Sequence, residues 1–281
     1  MSNYCIDSYD DHEFLQGDLF KSINPTGQEE LFVIISADCD IANNKLGKSG
    51  FACLDVSSLN DYFFSDFSAL KHQKIFTTEL NSIIEIINEQ WMSLSEQHKP
   101  LENQSIKRWI EEDDVSLIIS SLKIDKKETI TQLSTSHAII KKYLNHQKNP
   151  ESKNIELLAI VNKADHNTND GINKTIKKFM KELSGSPPQD LFFIPSIPSL
   201  EQIGYVVKLR SLFFVPVNQC FSSISQAKEA STSYIRIGRL TPTFKHALSQ
   251  QFGVLFSRIG FPNYYEQDVK DSFSIFLEKF C

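Results

Sequence analysis

The chain has 281 residues, 41% hydrophobic and 23% charged, with 35 acidic against 29 basic residues and a formal net charge of −6. A chain this long buries a real core in one large domain or two, and no apolar run approaches the ~20 residues of a membrane span. The acidic balance supplies no global field for a polyanion, so net charge does not favour nucleic-acid binding, which would need a local basic patch.

In chain order, residues 1–11 lack the basic start and apolar run of a secretory leader. Residues 19–23, 31–36 and 51–56 are apolar or β-branched runs separated by Gly, Pro and Asn, and read as strands. Pro25-Thr26-Gly27 between the first two is hairpin chemistry, Pro fixing φ and Gly accepting φ > 0. Residues 43–50 read as a polar loop. From about residue 60 the pattern changes: Leu80, Ile83, Ile84, Ile87, Trp91 and Leu94 recur at steps of three and four and predict an amphipathic helix. Residues 105–111, 115–122 and 128–144 continue in helical style. Residues 156–161 read as a strand, followed by a polar loop and a lysine-rich helix over 172–183. Further strands are predicted at 191–194, 205–209 and 212–217, punctuated by prolines. Thr241 as N-cap and Pro242 at the first helical position open a helix whose apolar face is Phe244, Leu248, Phe252, Leu255 and Ile259, with Gly260 and Pro262 as its stop. A final amphipathic helix is predicted over 268–280.

Two nucleotide-binding lookalikes fail on context. Gly47-Lys48-Ser49 resembles the end of a phosphate loop, but Ala42 stands where the leading Gly belongs, and a strand follows where the mechanism needs a helix N-terminus. Asn162-Lys163-Ala164-Asp165 imitates a guanine reader with no phosphate loop upstream. The histidines His72, His98, His146 and His166 show no metal-ligand spacing. The five cysteines (Cys5, Cys39, Cys53, Cys220 and Cys281) are scattered, without a C-x-x-C pair, which points to a reducing cytoplasm rather than to zinc or disulfides.

Asp38-Cys39-Asp40 at the exit of the second strand is the candidate site. Flanking carboxylates repel a thiolate and oppose nucleophilic use of Cys39, and a Cys nucleophile also wants a His, for which only His137 or His246 can be offered. The alternative is a small buried thiol between two turn-capping aspartates. Arginine is scarce, and three of the five (Arg236, Arg239 and Arg258) bracket the helix after Thr241. Arg258 suits the C-terminal end of the helix dipole. Arg239 gains nothing there, and is expected to pair with Asp18, Asp38 or Asp40, or to hold a phosphate or a partner's carboxylate. Catalytic candidates are therefore Asp38, Cys39, Asp40 and Arg239, and binding candidates Asp18, Asp38, Asp40, Arg239 and Arg258. No metal or cofactor is implied.

Gly17-Asp18-Leu19-Phe20, Gly27-Gln28-Glu29 and the run from Val33 to Ser36 resemble the opening of the MazF/PemK family, which implies a small Src-homology-3-like barrel. That family's Arg-Pro before the buried strand, where its ribonucleases use a basic residue for RNA, is replaced here by Glu30-Leu31, a departure that counts against carrying the ribonuclease activity over. The chain is also similar to a group of uncharacterised bacterial proteins. The shared residues are Gly17-Asp18, then Ser36, Cys39, Asp40 and Ile41, and a tail of Arg239, Leu240, Pro242, Leu248, Gln250, Phe256, Arg258, Ile259, Gly260 and Pro262. This resemblance implies a bacterial conflict or mobile-element setting and supplies no reaction.

The expectation is an α+β fold: a small MazF-like β-barrel with a large helical insertion and C-terminal helices. Residues 1–59 form the first half of the barrel, 60–185 the mainly helical insertion, and 186–281 the second half with the closing helices. With no complete catalytic set, the expected function is a non-enzymatic component of a bacterial defence or stress system that binds a protein partner. The alternatives are a divergent MazF-like nuclease and a nucleic-acid-binding adaptor using the lysines of 173–181, for which salt dependence is diagnostic.

Overall fold

The computed structural model describes residues 4–7, 13–22, 30–198, 200–223 and 233–257. They divide into two compact units, one made of residues 1–59 and 188–281, the other of residues 60–187. The first unit begins with β1 (Cys5–Asp7), β2 (Asp18–Ser22) and β3 (Leu31–Ile34), followed by a short helix α1 (Asp38–Ala42) and β4 (Phe51–Ser58). Where aspartates capping a turn at the strand end were one reading, Asp38-Cys39-Asp40 is the first turn of α1.

The second unit is helical. A π-helical turn (Tyr62–Phe67) leads into α2 (Ser68–Ser93), then α3 (Asn103–Glu112), α4 (Val115–Ser121), α5 (Lys127–Gln147), α6 (Asn154–Val161) and α7 (Asn169–Gly185). Leu80, Ile83, Ile84 and Ile87 of α2 form the predicted stripe and pack against Ile106, Ile110, Ile118, Leu133 and Ile140. The segment around α6 corrects the sequence reading, which took 156–161 for a strand. Ile155 and every residue from Leu157 to Val161 are buried, so the run shows no period to separate helix from strand. The Glu156 side chain accepts the Lys153 backbone N–H at 3.1 Å and fixes a helix start.

The chain returns to the first unit with β5 (Leu191–Ser196), β6 (Ile203–Val215), β7 (Cys220–Phe221), β8 (Tyr234–Leu240) and α8 (Pro242–Ser257). The two strands expected at 205–209 and 212–217 are one long strand, β6. The strand β8 had no counterpart in the sequence reading. Together the strands form a nearly closed, barrel-shaped sheet in the order β1-β8-β2-β3-β4-β6-β5, antiparallel along that path, with β7 parallel to β8. The fold is thus mixed helix and sheet.

Alternation gives the sheet two apolar faces. One carries Leu19, Val33, Leu54, Val56, Val207 and Leu209, packed with Leu248, Phe244, Phe252 and Leu255 of α8. The other carries Phe20, Phe32, Ile34, Phe51, Cys53 and Val215. On that face Phe20 stacks on Phe32 at 5.2 Å, and Tyr234 meets Phe32 edge-on at 4.9 Å. The predicted closing helix stands as α8, and the Lys245 N–H bonds the Thr241 carbonyl at 2.9 Å. Its predicted stop at Gly260, and the helix predicted over 268–280, lie outside the described residues. No helix among the described residues is long and apolar enough to cross a membrane.

Candidate functional site

The candidate site grows from the turn before β2. Gly17 has φ +88, and a Cβ there would meet Leu240 Cβ and Lys245 Cγ, both at 3.3 Å. Its N–H bonds the Ile34 carbonyl and its carbonyl accepts the Leu240 N–H, both at 2.9 Å. One glycine therefore ties together the entry of β2 and the exits of β3 and β8. Asp18 follows, with 0% of its surface exposed.

Asp18 lies directly opposite Arg239 on β8, and their side chains form an ion pair from Arg239 Nε to Asp18 Oδ1. Arg239 Nη2 also donates to Asp18 Oδ2 at 3.2 Å and to the Glu13 carbonyl at 2.9 Å. Arg236 is three residues away and would ordinarily point to the other face of the sheet. The ladder slips between Leu19 and Phe20, which lie opposite Gly238 and Arg236, so Ile237 is bulged out. That extra residue turns Arg236 to the same face as Arg239. Its Nη1 donates to Glu13 O at 2.8 Å and to Asp18 Oδ2 at 3.4 Å, with the guanidinium 5.8 Å from the Phe14 ring centre. The Leu15 N–H donates to the same carboxylate at 2.9 Å.

Asp38 is held separately. Its Oδ1 accepts the Gln16 N–H at 2.7 Å, and its Oδ2 pairs with Lys245 Nζ of α8 at 2.6 Å. Partial burial pushes its pKa up, but the bonds from Lys245 and Gln16 and the positive charges of Lys245 and Arg239 outweigh this and hold it below the usual carboxylate value. The N-cap of α1 is Ala37, and both oxygens of the Asp38 carboxylate are engaged by Gln16 and Lys245 rather than by the backbone of its own helix. Asp40 does not join this group. It lies on the neighbouring cleft, and Cys39 Sγ is 3.8 Å from its Oδ1. Cys39 is exposed, not the small buried thiol of the sequence reading. Arg258 lies outside the described residues. Of the predicted set, then, Asp18 and Arg239 meet directly, Asp38 is reached through Gln16 and Lys245, and Asp40 faces elsewhere.

The cleft beside this group encloses about 450 Å³. Its lining includes the polar Gln16, Ser36 and Asp40, the apolar Leu212 and Phe214 of β6, and Phe252 of α8. Gln16 links cleft and ion pairs, since its N–H holds Asp38 while its side-chain Nε2 donates to the Ile35 carbonyl at 2.9 Å. Ser36 Oγ accepts the Ala52 N–H at 2.8 Å. Of the apolar lining, Leu212 and Phe214 are 44% and 54% exposed. A larger depression of about 680 Å³ in the helical unit is lined by polar side chains, several bonded to one another. There Ser136 Oγ donates to Glu79 at 2.9 Å and Gln132 Nε2 to Ser82 at 3.4 Å, so it offers less unsatisfied surface.

Sequence reasoning missed Lys245 and Gln16 as members of the site, and gave Arg236 no role. Nothing local marks them, because each acquires its partner through the sheet or from α8. No group of three or more His, Cys, Asp or Glu side chains placed to hold a metal occurs among the described residues. No family model, curated protein or solved structure matches the chain.

Proposed function

We propose that this protein is a non-enzymatic, partner-binding component of a bacterial defence or stress system. The observation that supports the binding role is the cleft, whose lining combines the apolar Ile35, Leu46, Leu212, Phe214 and Phe252 with the polar Gln16, Ser36 and Asp40, and leaves Leu212 and Phe214 facing water. The bacterial defence or stress setting rests on the sequence resemblance of the two chain ends alone. The Gly17-Asp18 entry into β2 supports reading the sheet as a MazF-like, Src-homology-3-like barrel.

A divergent nuclease would need a carboxylate free to act as base or metal ligand. Asp18 is instead enclosed by two arginines and Asp38 is paired with Lys245, which is the pattern of struts that hold the cleft wall. A nucleic-acid adaptor working through α7 finds two of its four lysines already engaged: Lys174 pairs with Asp170, and Lys178 bonds Asn162 and lies over the Phe179 ring.

The test is site-specific photocrosslinking in the host. Benzoylphenylalanine at position 214 or 252 is expected to give one discrete protein adduct that the same group at position 174, where the exposed Lys174 of α7 stands, does not give. Cleavage of RNA or DNA by the purified chain, abolished by Asp38→Asn or Arg239→Gln, would overturn the proposal. So would the absence of any adduct specific to the cleft.

A further inference from the structure

The strand that brings Leu212 and Phe214 to the cleft is only half paired. Residues 203–208 of β6 pair with β5 on one side, and the Leu209 N–H bonds the Asp190 carbonyl at 2.9 Å. Beyond that point no described residue pairs with the β5 side, and, among the described residues, 212–215 are held by β4 alone. The direction of the free backbone groups follows from β4. The Ala52 carbonyl accepts the Ile35 N–H at 2.8 Å and the Ala52 N–H donates to Ser36 Oγ at 2.8 Å, so both groups point toward β3. Ala52 therefore forms a non-hydrogen-bonded pair with Phe214, its register partner, and Leu54 does the same with Leu212. Phe213 and Val215 turn their N–H and C=O inward to β4. Leu212 and Phe214 turn theirs outward, and among the described residues these groups meet no partner.

The same two residues that offer backbone groups outward present their side chains to the cleft. Sheet edges of this kind are normally blunted by charge, proline or a bulge. Here the blunting stands at the two ends only. Residues 208–211 bulge against the single Asp55, with Lys208 paired to that aspartate at 3.0 Å, and Pro216 follows Val215. The interval between is short, apolar and uncharged.

We infer that the occupant of this site is an extended segment of a partner protein, added as a strand along residues 212–214 with its apolar side chains in the cleft. This rests on the partner-binding reading and names the class of partner. Outward N–H and C=O groups at alternate residues are matched by another extended backbone, whereas a helix has already spent its own backbone bonds internally. A second copy of this chain, paired edge to edge about a two-fold axis, fits less well. Each copy's Leu212 and Phe214 would remain beside its own cleft and leave both clefts unfilled. The bulge and Pro216 limit the added strand to a few residues, which keeps pairing from propagating.

The test uses the full chain and a displayed library of random peptides of roughly eight residues. Selected peptides are expected to carry alternating apolar residues and to slow amide exchange at Leu212 and Phe214 about tenfold or more. Phe214→Ala removes the side chain and keeps the N–H, while Phe214→Pro removes both without touching a bond to β4. Binding is expected to fall a further tenfold or so from the first variant to the second. Equal loss in both variants would overturn strand addition and leave the partner-binding cleft standing. Failure to select any binding peptide would overturn both. A dimer in light scattering that Phe214→Pro dissolves would assign the edge to a second copy and overturn the foreign strand. Should Phe214→Pro fail to fold, exchange in the native chain still decides, because protected Leu212 and Phe214 amides without peptide would mean the edge is already covered.

Discussion

Replacing Asp18 by Asn keeps the shape of the side chain and removes its charge. The carboxylate is fully buried and accepts bonds from Arg239, from Arg236 at 3.4 Å and from the Leu15 N–H at 2.9 Å. With an amide in its place, an NH2 group faces guanidinium donors, and Arg236, 3% exposed, loses the negative charge that compensates its burial. Breaking one side of a buried ion pair costs about 3–5 kcal/mol. That is a large part of the ~5–15 kcal/mol that ordinarily holds a domain together. Hydrogen exchange of peptides spanning β2 and β8 is the direct assay, and exchange there is expected to accelerate by roughly two to four orders of magnitude. The triple variant Asp18→Leu, Arg236→Met, Arg239→Met removes all three charges together and is expected to recover most of the loss, since apolar side chains replace buried ion pairs at little cost. A loss in Asp18→Asn below about 1 kcal/mol would refute the strut reasoning, as would a triple variant less stable than the single one.

Asp38 has a folded pKa below its ordinary value, so it contributes stability above about pH 4 that is lost as pH falls through the folded pKa. Asp38→Asn should therefore flatten the acid limb of the urea midpoint against pH, followed by circular dichroism; with 40% of the Asp38 side chain exposed, the difference will be modest. In the helical unit, burial holds His72, His137 and His166 below the ordinary histidine pKa. The unfolded chain then takes up protons first, so stability is full above about pH 6.5 and falls as pH drops below it. The fluorescence of Trp91 and Trp109, both in that unit, should report a lower urea midpoint at pH 5.5 than at pH 7.5. Iodoacetamide on the native chain, read by peptide mapping, should modify Cys39 and spare Cys5 and Cys220, whose thiols burial pushes up to about 12, and Cys53, pushed higher still. Gly50 has φ +85, and a Cβ there would stand 2.2 Å from the Val215 carbonyl oxygen, so Gly50→Ala should cost about 3 kcal/mol or more in thermal or urea unfolding.

The helices and the front strands were legible because their signals are local. The stripe through Leu80, Ile83 and Ile87 and the apolar runs of β2 to β4 carry their own period. The run from Ile155 to Val161 was misread because a segment buried on all sides has no period to read. The strand β8 was invisible for a different reason: Arg236 and Arg239 suggest a surface, and they are tolerated inside only because Asp18, more than two hundred residues earlier, lies against them. Of the site, the pairing of Asp18 with Arg239 was among the anticipated possibilities. The parity change at Ile237 that brings in Arg236, and the reach of Lys245 from α8 to Asp38, depend on register and packing that the sequence does not display. The open edge at Leu212 and Phe214 was hidden in the same way, since its exposure follows from where β5 stops.

The most direct measurement is residue-resolved amide exchange on the full chain in the absence of any partner. The inferred edge requires Leu212 and Phe214 to exchange fast while Phe213 and Val215, bonded to β4, are protected. Protection of all four alike would contradict it, because the edge on which the proposed partner strand depends would then be occupied already.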